Sequence, residues 1–150
     1  MAALEWKKIL CPVDFSPASR ETLDVAMDLA RRFGSALALF HAYPLPGYTL
    51  PEGTVLPRPQ MLQELSEQTD RHLAEWKDLA RGRGVASVET AKSVGEPAAE
   101  IVEFAQQGGF DLIVMSTHGR TGIAHALLGS VAERVVRRSP VPVLTIRPEA

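Results

Sequence analysis

Short apolar runs alternate along this chain with stretches whose apolar residues recur every three or four positions. The first kind fits strands buried on both faces, the second helices with one buried side. Lys8–Asp14 reads as a buried strand. Ser16-Pro17 then marks a helix start, with Ser as N-cap and Pro at the first helical position. Leu23, Ala26, Ala30 and Phe33 keep helical spacing up to Gly34, which suits a C-cap. Ala36–Ala42 predicts a second strand. A helix follows from about Gln60 to Arg81, carrying Leu62, Leu65, Leu73, Trp76 and Leu79 and closed by Gly82 and Gly84. Val85–Val94 alternates loosely as a third strand. Gly95-Glu96-Pro97 opens a third helix bearing Ile101, Val102 and Ala105, which stops at Gly108-Gly109. Phe110–Met115 predicts the fourth strand, Ser130–Arg138 the fourth helix and Val141–Arg147 the fifth strand.

Strict alternation of this kind predicts an α/β fold: one doubly wound five-stranded parallel sheet with helices on both faces. The order 3-2-1-4-5 is favoured, and its switch point falls between the first and fourth strands. A chain of 150 residues suits one domain spanning 1–150. With 45% hydrophobic and 23% charged residues and a net charge of −2, nothing favours nucleic acid or an anionic membrane as a partner. Apolar runs are too short to span a bilayer, the start lacks the order of a secretion signal, and Cys11 is the single cysteine. The expected location is the cytoplasm.

The chemistry concentrates in Ser116-Thr117-His118-Gly119-Arg120-Thr121-Gly122, with Gly129-Ser130 further on. This glycine-bearing loop lies between the fourth strand and the fourth helix, where a helix start and close backbone approach suit a phosphate. It matches neither the Walker-type loop nor the dinucleotide fingerprint. A plain turn with an N-cap is the alternative. The switch point, where Val13-Asp14-Phe15-Ser16 and Ser116-Thr117-His118-Gly119 leave their strands, favours a ligand.

With Lys8-Ile9-Leu10-Cys11-Pro12-Val13-Asp14-Phe15-Ser16, Leu39-Phe40-His41-Ala42 and the stretch Met115–Ile146 laid out, the chain resembles the universal stress protein family along nearly its whole length. The ATP-binding branch of that family carries Gly-x2-Gly-x9-Gly-Ser/Thr. Gly119, Gly129 and Ser130 match it, and Ser116 stands in place of the first glycine. The resemblance implies a site for ATP with Mg2+. Pro12, Val13 and Asp14 would come from the first strand's end, and Ala42 would offer its backbone to the adenine edge. Met115, Ser116, His118, Gly119 and Arg120 would come from the fourth strand and its loop. Gly129, Ser130 and Val131 would supply the helix start. It further implies a nucleotide-binding regulatory protein of the stress response with no dedicated catalysis and no metal held by protein side chains. Slow ATP hydrolysis or phosphotransfer in the same pocket, a member that no longer binds nucleotide, and a flavodoxin-like redox protein are the competing readings.

Individual residues carry alternatives. Asp14 either caps the following helix or accepts from adenine or ribose. Ser130 has the capping-box spacing to Glu133 as well as the phosphate position. Arg120 is either a phosphate partner or a solvated loop residue. His118 suits loop packing better than base catalysis, while His41, His72 and His125 have no metal-ligand spacing. Cys11 reads as inert packing. A valine at Gly129 is expected to fill the phosphate position and leave the fold intact. Tyr43–Pro59, with five prolines, two glycines and Tyr48, has no periodicity and reads as a lid or a mobile tether. The fifth strand, an apolar edge, predicts a two-fold homodimer through Val141–Arg147. The regulatory protein partner has no signature in the sequence.

Overall fold

The computed structural model describes residues 4–45, 48–55, 57–118 and 128–149. Five strands form one parallel sheet: β1 (Lys8–Pro12), β2 (Ala36–Tyr43), β5 (Val88–Val94), β6 (Leu112–Ser116) and β7 (Val143–Ile146). Their order is β5-β2-β1-β6-β7. This is the expected 3-2-1-4-5 arrangement once a separate hairpin, β3 (Tyr48–Leu50) with β4 (Gly53–Val55), is set aside. Among the described residues the helices are α1 (Pro17–Phe33), α2 (Pro59–Gly82), α3 (Pro97–Gln107) and α4 (Ser130–Arg138).

Side chains alternate across the strands, so each central strand feeds two cores. Ile9, Cys11, Leu37, Leu39, Leu112 and Val114 pack with Leu23, Ala26 and Met27 of α1 and with Leu73 and Ala80 of α2. Leu10, Ala38, Phe40, Ile113 and Met115 point the other way, onto Ala98, Ile101 and Ala105 of α3 and onto Ala132 and Val135 of α4. Phe40 stacks flat on Phe104, with centroids 4.4 Å apart. Burial on both faces explains the near-continuous apolar strands.

Local signals set most boundaries. Ser16 Oγ accepts the Ser19 N–H at 3.1 Å and Pro17 opens α1. Gly34 closes that helix in the left-handed region at φ 65°, where its N–H reaches the Ala30 carbonyl. Glu96 caps α3 by accepting the Ala99 N–H at 2.8 Å.

Three expectations need correction. The third strand begins at Val88 rather than Val85, although Val85 is buried. The segment Tyr43–Pro59 is not aperiodic throughout: β2 runs through Tyr43, and β3 and β4 pair antiparallel with Leu50 opposite Gly53 around Pro51-Glu52. Strands of three residues are too short to show alternation. Finally, α4 is capped by Gly129 without a side-chain bond. Ser130 is already helical and exposed, so no capping box to Glu133 forms; the Glu133 carboxylate pairs with Arg137 instead. Among the described residues, no helix is long and apolar enough to cross a membrane.

Candidate functional site

At the carboxyl ends of β1, β2 and β6 the crossovers part and leave a cleft of about 570 Å³. Openings of this size are typical of small-ligand sites in parallel sheets. The structure brings ten of the sequence-predicted residues onto its wall: Pro12, Val13 and Asp14 from β1; Ala42 from β2; Met115, Ser116 and His118 from β6 and its exit; and Gly129, Ser130 and Val131 from the start of α4. Gly119 and Arg120 lie outside the described residues, as does His125.

The β1 exit is built by a tight turn. Asp14 Oδ1 accepts the Ser16 N–H at 3.0 Å, and the Asp14 N–H is donated to Ser19 Oγ at 3.1 Å. Asp14 therefore holds the chain ahead of the helix, while Ser16 does the capping. The turn puts Phe15 at φ 63°, a left-handed conformation that costs a residue with a Cβ about 1 kcal/mol. Packing holds it there. The Phe15 ring lies 4.9 Å from His41, 4.8 Å from His72 and 5.2 Å from Trp76, centroid to centroid. His41 donates its Nδ1–H to the Val13 carbonyl at 2.6 Å, which orients the imidazole and pins the strand end. Tyr43 also stacks on this ring, at 5.4 Å.

The β6 exit is held equally firmly. Ser116 Oγ donates to the His118 carbonyl at 2.6 Å and accepts the His118 N–H at 3.2 Å. The buried Thr117 donates its N–H to Ile146 of β7 at 2.9 Å. Thr117 Oγ1 meets His118 Nδ1 at 2.8 Å. The Thr117 carbonyl accepts the Gly129 N–H at 2.6 Å, hooking the start of α4 onto the end of β6.

That hook explains why position 129 is a glycine. Its φ of −68° and ψ of 166° suit any residue, but an added Cβ would lie 2.8 Å from the Thr117 carbonyl oxygen. A valine here would push the loop and helix apart, so it would not spare the fold as expected. The first bond of α4 runs from the Glu133 N–H to the Gly129 carbonyl at 2.9 Å. The amides of Ser130, Val131 and Ala132 thus precede the helical ladder, at the positive end of the helix dipole, and all three residues line the cleft.

The remaining wall is largely apolar: Phe40, Pro97, Ile101, Leu128 and Ala132 on the α3 and α4 side, with Leu65 of α2 opposite. The sequence reading did not place these among the ligand residues, nor Ser19 and His41, while Thr117, Tyr43 and Pro44 fell within the loop and the lid segment it had marked. Most carry no chemical signal and become wall only through the crossing of α3 and α4 over the sheet. Asp14 is the one carboxylate among the described wall residues, which include no lysine or arginine. No group of three or more His, Cys, Asp or Glu among the described residues suits a metal ion. Arg134 and Arg138 on α4 pair with Glu96 at 3.2 and 3.7 Å, away from the helix start.

The model of the universal stress protein family matches residues 5–147. The chain belongs to that family. The universal stress protein MJ0531 of Methanocaldococcus jannaschii is 39% identical over 145 residues, covering 95% of this chain and 82% of that protein. Among solved structures, MJ0577 superposes with a TM-score of 0.82 at 27% identity, covering 98% and 99% of the two chains. A universal stress protein in complex with cAMP gives 0.71 at 27% identity over 96% and 98%. The Archaeoglobus fulgidus universal stress protein in complex with dAMP gives 0.66 at 25% identity over 95% and 99%.

Proposed function

We propose that this chain is a single nucleotide-binding domain that holds an adenine nucleotide in the switch-point cleft and acts as a cytoplasmic stress-response regulator. ATP with Mg2+ is the physiological ligand in this reading. The observation that carries it is the hook between Thr117 and Gly129, which sets the start of α4, its first-turn amides outside the helical ladder, on the wall of a largely apolar cleft. Such a helix start suits phosphate, and the apolar wall suits a base. The similar proteins in complex with cAMP and dAMP support an adenine ligand. Gly119 and Arg120 would complete the phosphate contacts. Magnesium would arrive on the phosphate oxygens, since the described wall offers it one carboxylate. Occupancy rather than turnover is the output, because phosphoryl transfer calls on several metal-binding and clamping groups.

Mass analysis of small molecules released from the purified, denatured protein tests the ligand class. Calorimetry with AMP, cAMP and ATP with magnesium then ranks affinities. No released nucleotide and no heat at millimolar ligand would refute the reading.

The same proposal includes a homodimer through Val141–Arg147. Among the described residues β7 pairs only with β6 and its outer edge has no partner strand, and all four of its residues are partly exposed. A two-fold contact would satisfy that edge once. Sedimentation at micromolar concentration is expected to give about twice the 16.3 kDa chain mass. A single species at the chain mass would refute it.

A further inference from the structure

We propose that Ser116 is a positioning residue for the phosphate loop: its hydroxyl closes a clasp on His118 that holds the loop's entry and, through it, the anion-facing start of α4. The inference rests on the nucleotide reading above and assigns Ser116 an indirect role through the backbone.

Ser116 is the last residue of β6, where the chain leaves the sheet. A serine hydroxyl has one donor and two acceptor positions. Here it donates to the His118 carbonyl at 2.6 Å and accepts the His118 N–H at 3.2 Å. Both backbone polar groups of His118 are therefore tied to one side chain two residues earlier. Thr117, between them, is tied at both of its own: the N–H to Ile146 and the carbonyl to the Gly129 N–H. Four backbone groups in two consecutive residues are accounted for, so the direction of the loop entry is determined rather than free. The last of these bonds, at 2.6 Å, carries the constraint to α4. The order of dependence is Ser116 hydroxyl, His118 backbone, Thr117 carbonyl, Gly129 amide, then the amides of Ser130, Val131 and Ala132.

Removing the hydroxyl takes both of these bonds from the His118 backbone at a half-buried position. The clasp opens, the Thr117 carbonyl gains freedom, and the α4 amides must be ordered when an anion binds. A ligand without phosphate makes no demand on those amides and is indifferent to the change.

Two measurements on Ser116→Ala and Ser116→Thr test this. In the ligand-free protein, NMR amide exchange at His118 is expected to speed up at least tenfold in Ser116→Ala and to stay slow in Ser116→Thr, which keeps a γ-hydroxyl. By calorimetry, Ser116→Ala should weaken AMP roughly tenfold, the loss of one to two net hydrogen bonds, and leave adenosine within about twofold. Ser116→Thr should restore AMP. Equal His118 exchange in wild type and Ser116→Ala overturns the clasp. AMP affinity unchanged in Ser116→Ala, or AMP and adenosine falling together, overturns the link to the phosphate loop, and a threonine that restores neither readout removes the hydroxyl as the cause. If the wild type binds neither AMP nor adenosine, the nucleotide reading fails and takes the affinity link with it, while amide exchange still decides the clasp.

Discussion

Replacing Gly129 with alanine probes the join between fold and site with a single carbon atom. The backbone at this residue, φ −68° and ψ 166°, is open to any amino acid, so strain in φ plays no part. The added Cβ would sit 2.8 Å from the Thr117 carbonyl oxygen, against the 3.4 Å at which ordinary contact begins. Backbone must therefore retreat by several tenths of an ångström, opening the Gly129–Thr117 bond. Thr117 is buried, so its carbonyl would be left short of a partner at a cost of about 1–3 kcal/mol. For a chain of this size that lowers Tm by roughly 2–12 °C. The α4 amides move with Gly129, and AMP affinity should fall about tenfold or more, since hydrogen bonds to charged groups are the stronger kind. Differential scanning calorimetry and titration calorimetry read the two effects. Gly34→Ala is the control: it meets no atom within 4 Å but forces a side chain into φ 65°, so it should lower stability by about 1 kcal/mol and leave nucleotide affinity alone. A Gly129→Ala protein with wild-type Tm and wild-type AMP affinity would refute the close-approach reasoning.

Two further outcomes concern ionisable groups. Glu96 is held below its ordinary pKa of 4.5, first by the Ala99 N–H it caps and then by Arg134. The Glu96 side chain is exposed at 41% and its ion pairs are open to solvent, so Glu96→Gln should cost well under 1 kcal/mol at neutral pH. A depressed folded value means the contribution is complete above 4.5 and lost as pH falls through the lower folded value. Urea denaturation of both proteins should therefore converge in acid, and a gap that widens there would contradict the cap. Burial pushes the Cys11 thiol up to about 12, so iodoacetamide at pH 8 should modify it only in denaturant. Rapid labelling of the native protein, followed by mass spectrometry, would show that β1 opens readily.

Much of the architecture is legible in the residues alone. Ser16, Pro17 and Gly34 bracket α1 because capping and left-handed turns are local events, decided within a few residues. The central strands announce themselves as apolar runs because both of their faces are covered, and alternation with helices leaves few ways to order the five. The place of the site follows from that order. What the sequence could not decide depends on atoms distant along the chain. The hairpin from Tyr48 to Val55 is too short for any periodic signal. The choice of Gly129 over Ser130 as cap turns on the nearness of the Thr117 carbonyl, twelve residues back across the loop. Phe15 accepts a left-handed backbone because His41, His72 and Trp76, from β2 and α2, enclose its ring. The apolar wall of Phe40, Ile101 and Ala132 exists only where α3 and α4 cross the sheet. Local propensity and burial pattern specify elements and topology. Close contacts between remote backbone atoms specify the geometry of the cleft, because a difference of half an ångström decides there between a bond and a clash.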